Sequence, residues 1–483
     1  MAKGWRIAVH QGKLAVAAGV GLCLLLAQAS ASPDWNLVDL RAQLSDLSDA
    51  LREDSPLREQ GVPELVNGLD IPELDGLGAP PLISGAIEAP AVLDWTDKRF
   101  ALAAMSQVYG GHGNRDVMTA GRSGDTEALN ITSGVLTLAQ LRKRLAARHL
   151  GRNVEAGADI LRVPLVIGRD ATLRLGPGEA LLLSEIDGAF IVNFGRLEVF
   201  GGEISATLPA ENAEAKFAPF VSTVGSGTVH LSGAAFRGLG FGYTAKFAGF
   251  SILAHPTMLP DARNLIENTR FDELVTVALV GIRHAEVRSN RFYDMRRNPL
   301  LVSQSQDAVV EGNLFSGNSP TNAIRVANGS SDTRLVHNII LEGSRAGLLV
   351  SSGSDNVLVA RNLIWRRNGG GVKLHNVRCG QVEKNVILDD QQKGVEVRTS
   401  PNALVRKNRI IGNANAGVWV SAQPPENVTY VVGNLLRENG SGLSAASGGS
   451  IALKGNDLSN QFPRFLDGDI TQQFRAIIAD LHG

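Results

Sequence analysis

The chain has 483 residues, and its 47 basic and 48 acidic residues leave a formal net charge of −1. This balance excludes the strongly basic proteins that bind nucleic acid through overall charge, and it gives no attraction to an anionic membrane surface. The two cysteines, Cys23 and Cys379, exclude a disulfide-rich fold. We therefore expect no nucleic-acid partner, and we expect the protein's stability to come from a large hydrophobic core.

The N-terminus has the pattern of an export signal. An apolar run at 14–27 follows three basic residues and is itself followed by small residues. The run is short for a membrane-spanning helix and predicts a signal peptide over residues 1–31, cleaved after Ala29 or Ala31. We expect the protein to be exported to the periplasm, with no membrane insertion of the mature chain.

Residues 32–95 are predicted to form a helix followed by a linker. From Trp35 to about Leu57, leucines recur near helical spacing among charged residues, which predicts one amphipathic helix. Its apolar face would pack on the protein itself or on a partner subunit. Residues 55–95 are rich in Pro and Gly and have no clear period, which predicts a linker or an extended segment.

Two further segments are predicted to cover the ends of the main domain. Residues 96–159 include a helical stretch at Leu136–Leu150 with a basic face, which we interpret as part of an N-terminal cap. Residues 461–483 include a second stretch at about 469–481 with apolar residues at helical spacing. A solenoid must cover its open apolar end, so this stretch is predicted to be a C-terminal capping helix.

An asparagine recurs at intervals of 22 to 26 residues through the second half of the chain, in a similar apolar frame each time. The series is Asn268, Asn290, Asn313, Asn338, Asn362, Asn385, Asn408, Asn434 and Asn456. A repeat of this period is typical of a solenoid. Stacked asparagines at a turn can bond one another, so we assign these residues a structural role and no chemistry.

Each repeat contains short stretches with a period of two residues and no run long enough for an amphipathic helix. Examples are Gly371–His375 and Gly394–Arg398. Strands this short and regular can coil, each pairing with its equivalent one turn later. The predicted fold is all-β, a right-handed parallel β-helix over residues 160–460, with an N-terminal helical extension and a C-terminal capping helix.

One strand of the repeat carries side chains that could do chemistry. Its inward positions are aliphatic in every coil, and its outward positions form one patch because the coils stack in register. The patch is predicted to contain Arg325, Lys373, His375, Glu396, Arg398 and Trp419.

This mixture suits an extended anionic sugar chain. Arg325, Lys373 and Arg398 can bind carboxylates, and the ring of Trp419 can stack on a pyranose. Outward strand residues are also polar simply because they face water, so a solvated surface is the competing interpretation. The sequence has no Asp-rich repeat, no histidine pair at metal spacing and no Gly-rich phosphate loop, so we expect no metal and no other cofactor.

The stretch from about Gly134 to Glu426 resembles the periplasmic mannuronan C5-epimerases of alginate biosynthesis. The residues that carry the resemblance are Gly188–Val192, Phe241–Tyr243 and the asparagine-marked coils. The resemblance implies an exported right-handed β-helix that inverts C5 of uronate residues within a polymer, without a required metal. Family members carry an Asp-Pro-His-Asp motif in the coil that here reads Asn298 to Ser303, and the motif is absent.

The family's arginine in the next coil lies near the position that here reads Ala327-Asn328, with Arg325 two or three residues away, so neither of the family's assigned catalytic residues can be carried over. Removing the C5 proton of a uronate requires a group that neutralises the carboxylate and a base. Here Lys373, Arg325 and Arg398 could neutralise, and His375 or Glu396 could be the base.

The main hypothesis is thus a periplasmic enzyme acting on an anionic exopolysaccharide, an epimerase before a lyase. The alternative is a non-catalytic polysaccharide-binding or scaffold subunit of an exopolysaccharide export complex. Hydrolysis is disfavoured because the patch offers only one carboxylate, Glu396, where a glycosidase needs two.

Overall fold

The computed structural model describes residues 36–472 except 53–54, 70, 76–88, 111, 121–125, 147–158, 208–216, 256 and 259–261. The predicted signal peptide and most of the predicted C-terminal helix lie outside the described residues. Within them the dominant feature is a stack of about twelve coils, each contributing a strand to each of three faces.

The first face is formed by the strand that carries the predicted patch. Its strands are Ile191–Asn193, Val221–Val224, Gly249–Leu253, Thr276–Val280, Leu300–Ser303, Ile324–Ala327, Leu348–Ser351, Val372–His375, Val395–Arg398, Ala416–Ser421, Ser441–Ala446 and Leu466–Gly468. Each pairs in parallel with the equivalent strand of the next coil.

The second face follows the first within the same coil, after one bend of the chain. Its strands are Arg196–Phe200, Thr228–Ser232, Leu265–Glu267, Glu286–Arg288, Val309–Glu311, Arg334–Val336, Leu358–Ala360, Gln381–Glu383, Leu404–Arg406, Val428–Val432 and Ser450–Lys454. The long strand Leu165–Leu175 spans the first and second faces, because it pairs with Ile191–Asn193 and with Arg196–Phe200.

The third face is a separate twelve-stranded parallel sheet. Its strands are Asp159–Leu161, Ala180–Leu183, Glu203–Ala206, Ala235–Arg237, Arg270–Asp272, Arg291–Tyr293, Leu314–Ser316, Ile339–Ile340, Leu363–Trp365, Val386–Leu388, Arg409–Ile411 and Leu435–Arg437. The fold is therefore the right-handed parallel β-helix predicted from the sequence.

Parallel stacking begins upstream of residue 160. Glu127–Thr137 pairs in parallel with Leu165–Leu175, and Val92–Asp97 adds an antiparallel edge strand. The start expected near 160 thus lies inside the stack. The helix Leu138–Ala146 buries Leu141 and Leu145 in the main core at this end of the solenoid.

The predicted inward residues form the main core. Val372, Leu374, Val395, Val397 and Val418 are all fully buried in one continuous cluster that runs the length of the stack. The inward and outward positions of these strands were therefore assigned correctly, because the residues that alternate with the buried ones are not part of this core.

Short helices pack on the outside of the solenoid. They are Leu37–Ala50, Pro56–Glu59, Val62–Val66, Pro72–Leu74, Lys98–Val108, Asn114–Thr119, Ala245–Phe247 and Asp469–Gln472 in addition to Leu138–Ala146. We call the described part of residues 37–74 the strap. No helix in the described part of the chain has the length and apolarity needed to cross a bilayer.

The strap packs on the third face of the solenoid. Leu40 and Leu44 of its first helix are buried in a cluster that also contains Trp365 and Leu388 of the third face. Arg41 of the same helix binds the carboxylate of Asp389 through Nε and Nη2, at 2.8 to 3.2 Å. The apolar side of the predicted amphipathic helix is therefore occupied by the protein itself.

The asparagine series forms the predicted ladder, with one correction. From Asn290 to Asn456, the side-chain Oδ1 of each asparagine accepts a hydrogen bond from the backbone N–H of the equivalent residue one coil earlier. In the first of these coils the equivalent residue is Thr269, so the assignment of Asn268 was wrong by one position. Asn268 is only half-buried and has a backbone φ of 46°.

Asn362 shows what each ladder residue satisfies. Its Oδ1 accepts from the backbone N and Nδ2 of Asn338 at 2.9 and 3.0 Å, and its Nδ2 donates to Leu335 O and Asn385 Oδ1 at 2.9 Å. All of these groups are buried, so a water molecule cannot replace a hydrogen-bond partner that a mutation removes.

Asn362→Ala should therefore destabilise the protein by about 3 kcal/mol or more, since it leaves several buried groups unpaired. Asn456→Ala, at the half-buried end of the ladder, should cost about 1 kcal/mol. The measurement is the free energy of unfolding in urea for both variants. Equal losses at the two positions would contradict a ladder sealed from water.

Candidate functional site

The first face is covered in the early coils and open in the later ones. The helices Lys98–Val108 and Asn114–Thr119 pack on its outward residues there, in a cluster that includes Val192, Ala278 and Val280. Leu301 in the following coil packs partly against this cluster. Outward residues that can reach a large ligand therefore start with Arg325, one coil beyond Leu301.

The coil that corresponds to the Asp-Pro-His-Asp motif contains no titratable side chain on this face. Leu301 is half-buried against the covering cluster, and the hydroxyl of Ser303 accepts a hydrogen bond from Asn328 Nδ2 at 3.0 Å. The structure thus gives this coil a packing role.

Glu396 is the centre of a charge cluster three to four coils farther along. Its Oε2 lies 3.5 Å from Lys373 Nζ, and its Oε1 lies 3.4 Å from both His375 Nε2 and Lys393 Nζ. The cluster forms because Lys373 and Glu396 are direct neighbours in the register of adjacent coils, with His375 beside Arg398 in the same pair of strands. The carboxylate of Glu396 is thereby brought into contact with two other predicted site residues, Lys373 and His375.

The surroundings of Glu396 keep it ionised. Burial alone would raise the pKa of this carboxyl, whose side chain is only 7% exposed, but His375, Lys373 and Lys393 together lower the pKa to about 2. A carboxylate with so low a pKa binds protons weakly. Glu396 is consequently a weaker candidate for the general base than His375, the other residue predicted for that role.

His375 is the better candidate for a base. Its side chain is 34% exposed, while its Nε2 is buried and faces Glu396. A hydrogen on Nε2 directed at the carboxylate leaves Nδ1 able to accept a proton, in the way that a carboxylate commonly orients a catalytic imidazole.

The remaining cations are placed for binding. Arg398 is exposed, lies beside His375 in the next coil and has no ion-pair partner among the described residues. Arg325 is also exposed but lies two coils before Lys373, with Leu349 between them. The structure therefore brings Arg398 to the cluster and leaves Arg325 about 10 Å away along the axis.

Trp419 is half-buried and does not present a free ring. The Nζ of Lys393 lies 4.6 Å from its ring centroid, so one side of the indole is covered by a cation. Lys393 was not predicted, because it lies in the turn before the strand and only strand residues were assigned to the patch. Its spacing of three residues from Glu396, next to the recurring Gly394, was the available signal.

Comparisons with known proteins agree with this fold. A family profile for a right-handed β-helix region matches residues 225–364. A mannuronan C5-epimerase of Pseudomonas putida is 24% identical over 391 residues, which are 74% of this chain and 74% of that protein. One of Pseudomonas aeruginosa is 26% identical over 358 residues, which are 68% of this chain and 65% of that protein.

A solved structure shares most of the architecture. The crystal structure of the periplasmic alginate epimerase AlgG superimposes with a TM-score of 0.68 at 18% identity, covering 81% of this chain and 99% of that one. The likeness shows a common fold. Together with the two curated relatives, it confirms the resemblance to mannuronan C5-epimerases predicted from the sequence.

A second profile, for a periplasmic copper-binding protein (NosD), matches residues 358–474. That stretch contains one histidine, His375, one cysteine, Cys379, and no methionine. In the described part of the chain no three His, Cys, Asp or Glu side chains lie together as metal ligands. Copper prefers imidazole and sulfur ligands in sets, so these residues do not fit a copper site and the match reflects the shared coils.

The low pKa of Glu396 predicts how the free energy of unfolding changes at acidic pH. Because its pKa in the folded protein is about 2 and its ordinary value is 4.5, its contribution to stability is complete above pH 4.5 and is lost as the pH falls toward 2. Glu396→Gln should therefore be less stable than the parent at pH 7, and the difference should shrink at pH 3.

Urea unfolding of both proteins at the two pH values measures this difference. Glu342→Gln is the matched control, since Glu342 is exposed and its 3.6 Å pair with Arg366 should contribute little. A gap between Glu396→Gln and the parent that is as large at pH 3 as at pH 7 would refute the ionised cluster.

Proposed function

We propose that the protein is an exported C5-epimerase that acts on uronate residues of an anionic exopolysaccharide. The cluster of His375, Glu396 and Lys373 on the open part of the first face supports this most directly, because it joins a base to cations in one place. The two similar proteins from Pseudomonas are mannuronan C5-epimerases, which makes polymannuronate the first substrate to test.

In the proposed reaction, Arg398 and Lys373 bind the carboxylate of one uronate. His375 then takes the C5 proton through Nδ1, and the electron pair left at C5 delocalises into the carboxylate, where the two cations stabilise it. A proton delivered to the opposite side of C5 inverts the centre. Glu396 touches His375 and Lys373 and acts as a positioning residue.

The site is displaced from the coil that carries the motif in the family. Ser303, Ala327, Ser351 and His375 occupy one column, so His375 lies three coils, about 14 Å, beyond Ser303. Because residues in one column point in the same direction, a histidine here presents its ring to the same face as one at 303 would.

A second function has its own support. The absence of titratable groups at Leu301 and Ser303 favours a non-catalytic polysaccharide-binding or scaffold subunit. In that case Arg398, Lys373 and Arg325 bind the polymer without turning it over. A lyase is a further alternative, since β-elimination begins with the same proton removal and differs only in the leaving oxygen.

The proposed location is the periplasm. The predicted signal peptide supports it, and the solved relative is described as periplasmic. Contact with other subunits of an exopolysaccharide complex stays a proposal, and any such contact would use surfaces other than the apolar side of the strap helix, which the third face occupies.

His375→Ala should lower the rate of C5 exchange on polymannuronate by roughly a hundredfold to ten-thousandfold, the usual contribution of a proton-transfer residue. The assay is incorporation of solvent deuterium at C5, read by NMR, with absorbance from unsaturated ends recorded in parallel. His284→Ala is the control, because His284 is an exposed histidine of the same solenoid outside the first face.

Exchange without unsaturation would identify an epimerase, and unsaturation would identify a lyase. Exchange that survives His375→Ala unchanged would exclude this histidine as the base. Binding of polymannuronate by the parent with neither signal would leave the non-catalytic function.

A further inference from the structure

A cavity lies at the corner between the third and first faces, along the coils that carry the candidate site. It has a volume of about 850 Å³ and separates the strap from the turns that follow the third-face strands. Arg41, Ser48 and Arg52 line its strap side. We call it the strap groove.

The turn side of the strap groove repeats along the solenoid. It is lined by residues of successive coils, namely Asp294, Ser316, Gly317, Asn318, Glu342, Gly343, Arg366, Asn368, Asp389, Gln391 and Gly412. These turns lead into the first-face strands from Leu300–Ser303 to Ala416–Ser421. The groove therefore runs parallel to the patch, along the same coils.

Two amides in this wall are free to bind a ligand. Asn368 and Gln391 are exposed, and neither side chain forms a hydrogen bond within the described part of the chain. They occupy equivalent places in adjacent coils, since their backbone N–H groups donate to Gly343 O and Arg367 O respectively. Equivalent places in adjacent coils are about 4.8 Å apart, so the amides form a short row.

A cation beside this row lies over an aromatic ring. The guanidinium of Arg366 lies 4.5 Å from the ring centroid of the buried Trp365, and its side chain is 48% exposed. Its only charged partner in the described residues is Glu342, at 3.6 Å. A guanidinium that stacks on an aromatic ring keeps its edge available for a bidentate contact with a carboxylate.

We propose that the strap groove is a second binding site for the same anionic polysaccharide, which rests on the proposed function. Side-chain amides bind sugar hydroxyls as both donors and acceptors, and Arg366 supplies the carboxylate contact. The volume is within the range of pockets that enclose small ligands, and the repeat along the axis suits a polymer segment. Two sites on one rigid solenoid would raise the protein's avidity for a long chain.

The test is calorimetric titration with a mannuronate hexamer. The parent protein should bind two hexamers, and Asn368→Ala combined with Gln391→Ala should abolish one site or weaken it by about tenfold or more, since two hydrogen bonds are lost. Lys373→Ala combined with Arg398→Ala should remove the other site and leave the strap groove occupied. Gln381→Ala, which removes an exposed amide from the second face, is the matched control.

The outcomes separate this inference from the proposed function. Loss of one site in the amide variant, with deuterium exchange at C5 absent from the parent, would support the groove and refute the epimerase. Two unchanged sites in the amide variant, or complete loss of binding in the Lys373 and Arg398 variant, would overturn the groove alone. A parent protein that binds no hexamer would refute both.

Discussion

The structure depends on hydrogen-bond partners for the backbone N–H and C=O groups that are buried at the bends of each coil. Each coil bends three times, and the bends place peptide groups inside, where water does not reach them. Three ladders of side chains meet this requirement. Asparagines serve the turn between the second and third faces, serines such as Ser305 and Ser330 serve the turn after the first face, and Asn413 and Asn439 serve the turn before it.

The third ladder includes a carboxyl group. The Oδ1 of Asp390 accepts from the backbone N–H of Arg367 at 2.7 Å, and its own N–H donates to Asn413 Oδ1 at 3.2 Å. Burial raises the pKa of Asp390, and the backbone N–H and guanidinium of Arg367 oppose this rise. The guanidinium of the enclosed Arg367 donates to backbone carbonyls of the neighbouring coils.

Much of this was predictable because a strict register converts sequence spacing into position. The inward residues Val372 and Val397 and the contact of Lys373 with Glu396 follow from period two along the strand and one coil between strands. The errors occur where a residue leaves that register. Asn268 was assigned by residue type, although Thr269 holds the ladder position, and Lys393 was missed because only strand residues were assigned to the patch.

The spacing of residues in the sequence also could not predict where the strap packs or which part of the first face the helices cover. The amphipathic pattern around Leu40 and Leu44 shows that one side must be buried but does not identify its partner, which is the third face. Similarly, the sequence of the strand Leu300–Ser303 does not show that the helix Lys98–Val108 covers the first face only as far as this coil. Both depend on contacts between segments far apart in sequence, and both decide which outward residues can meet a polymer.

The same register explains how a catalytic group could change coils within one fold. In a parallel solenoid, a side chain moved by a whole number of coils keeps its direction and its distance from the neighbouring column. His375 and Arg398 therefore have the mutual geometry that two side chains at positions 303 and 327 would have. What differs from coil to coil is whether helices cover the first face, and this covering ends near Leu301. In the proposed function, the cluster at Lys373 and Glu396 lies beyond these helices on an open surface, where a long chain can lie along the axis.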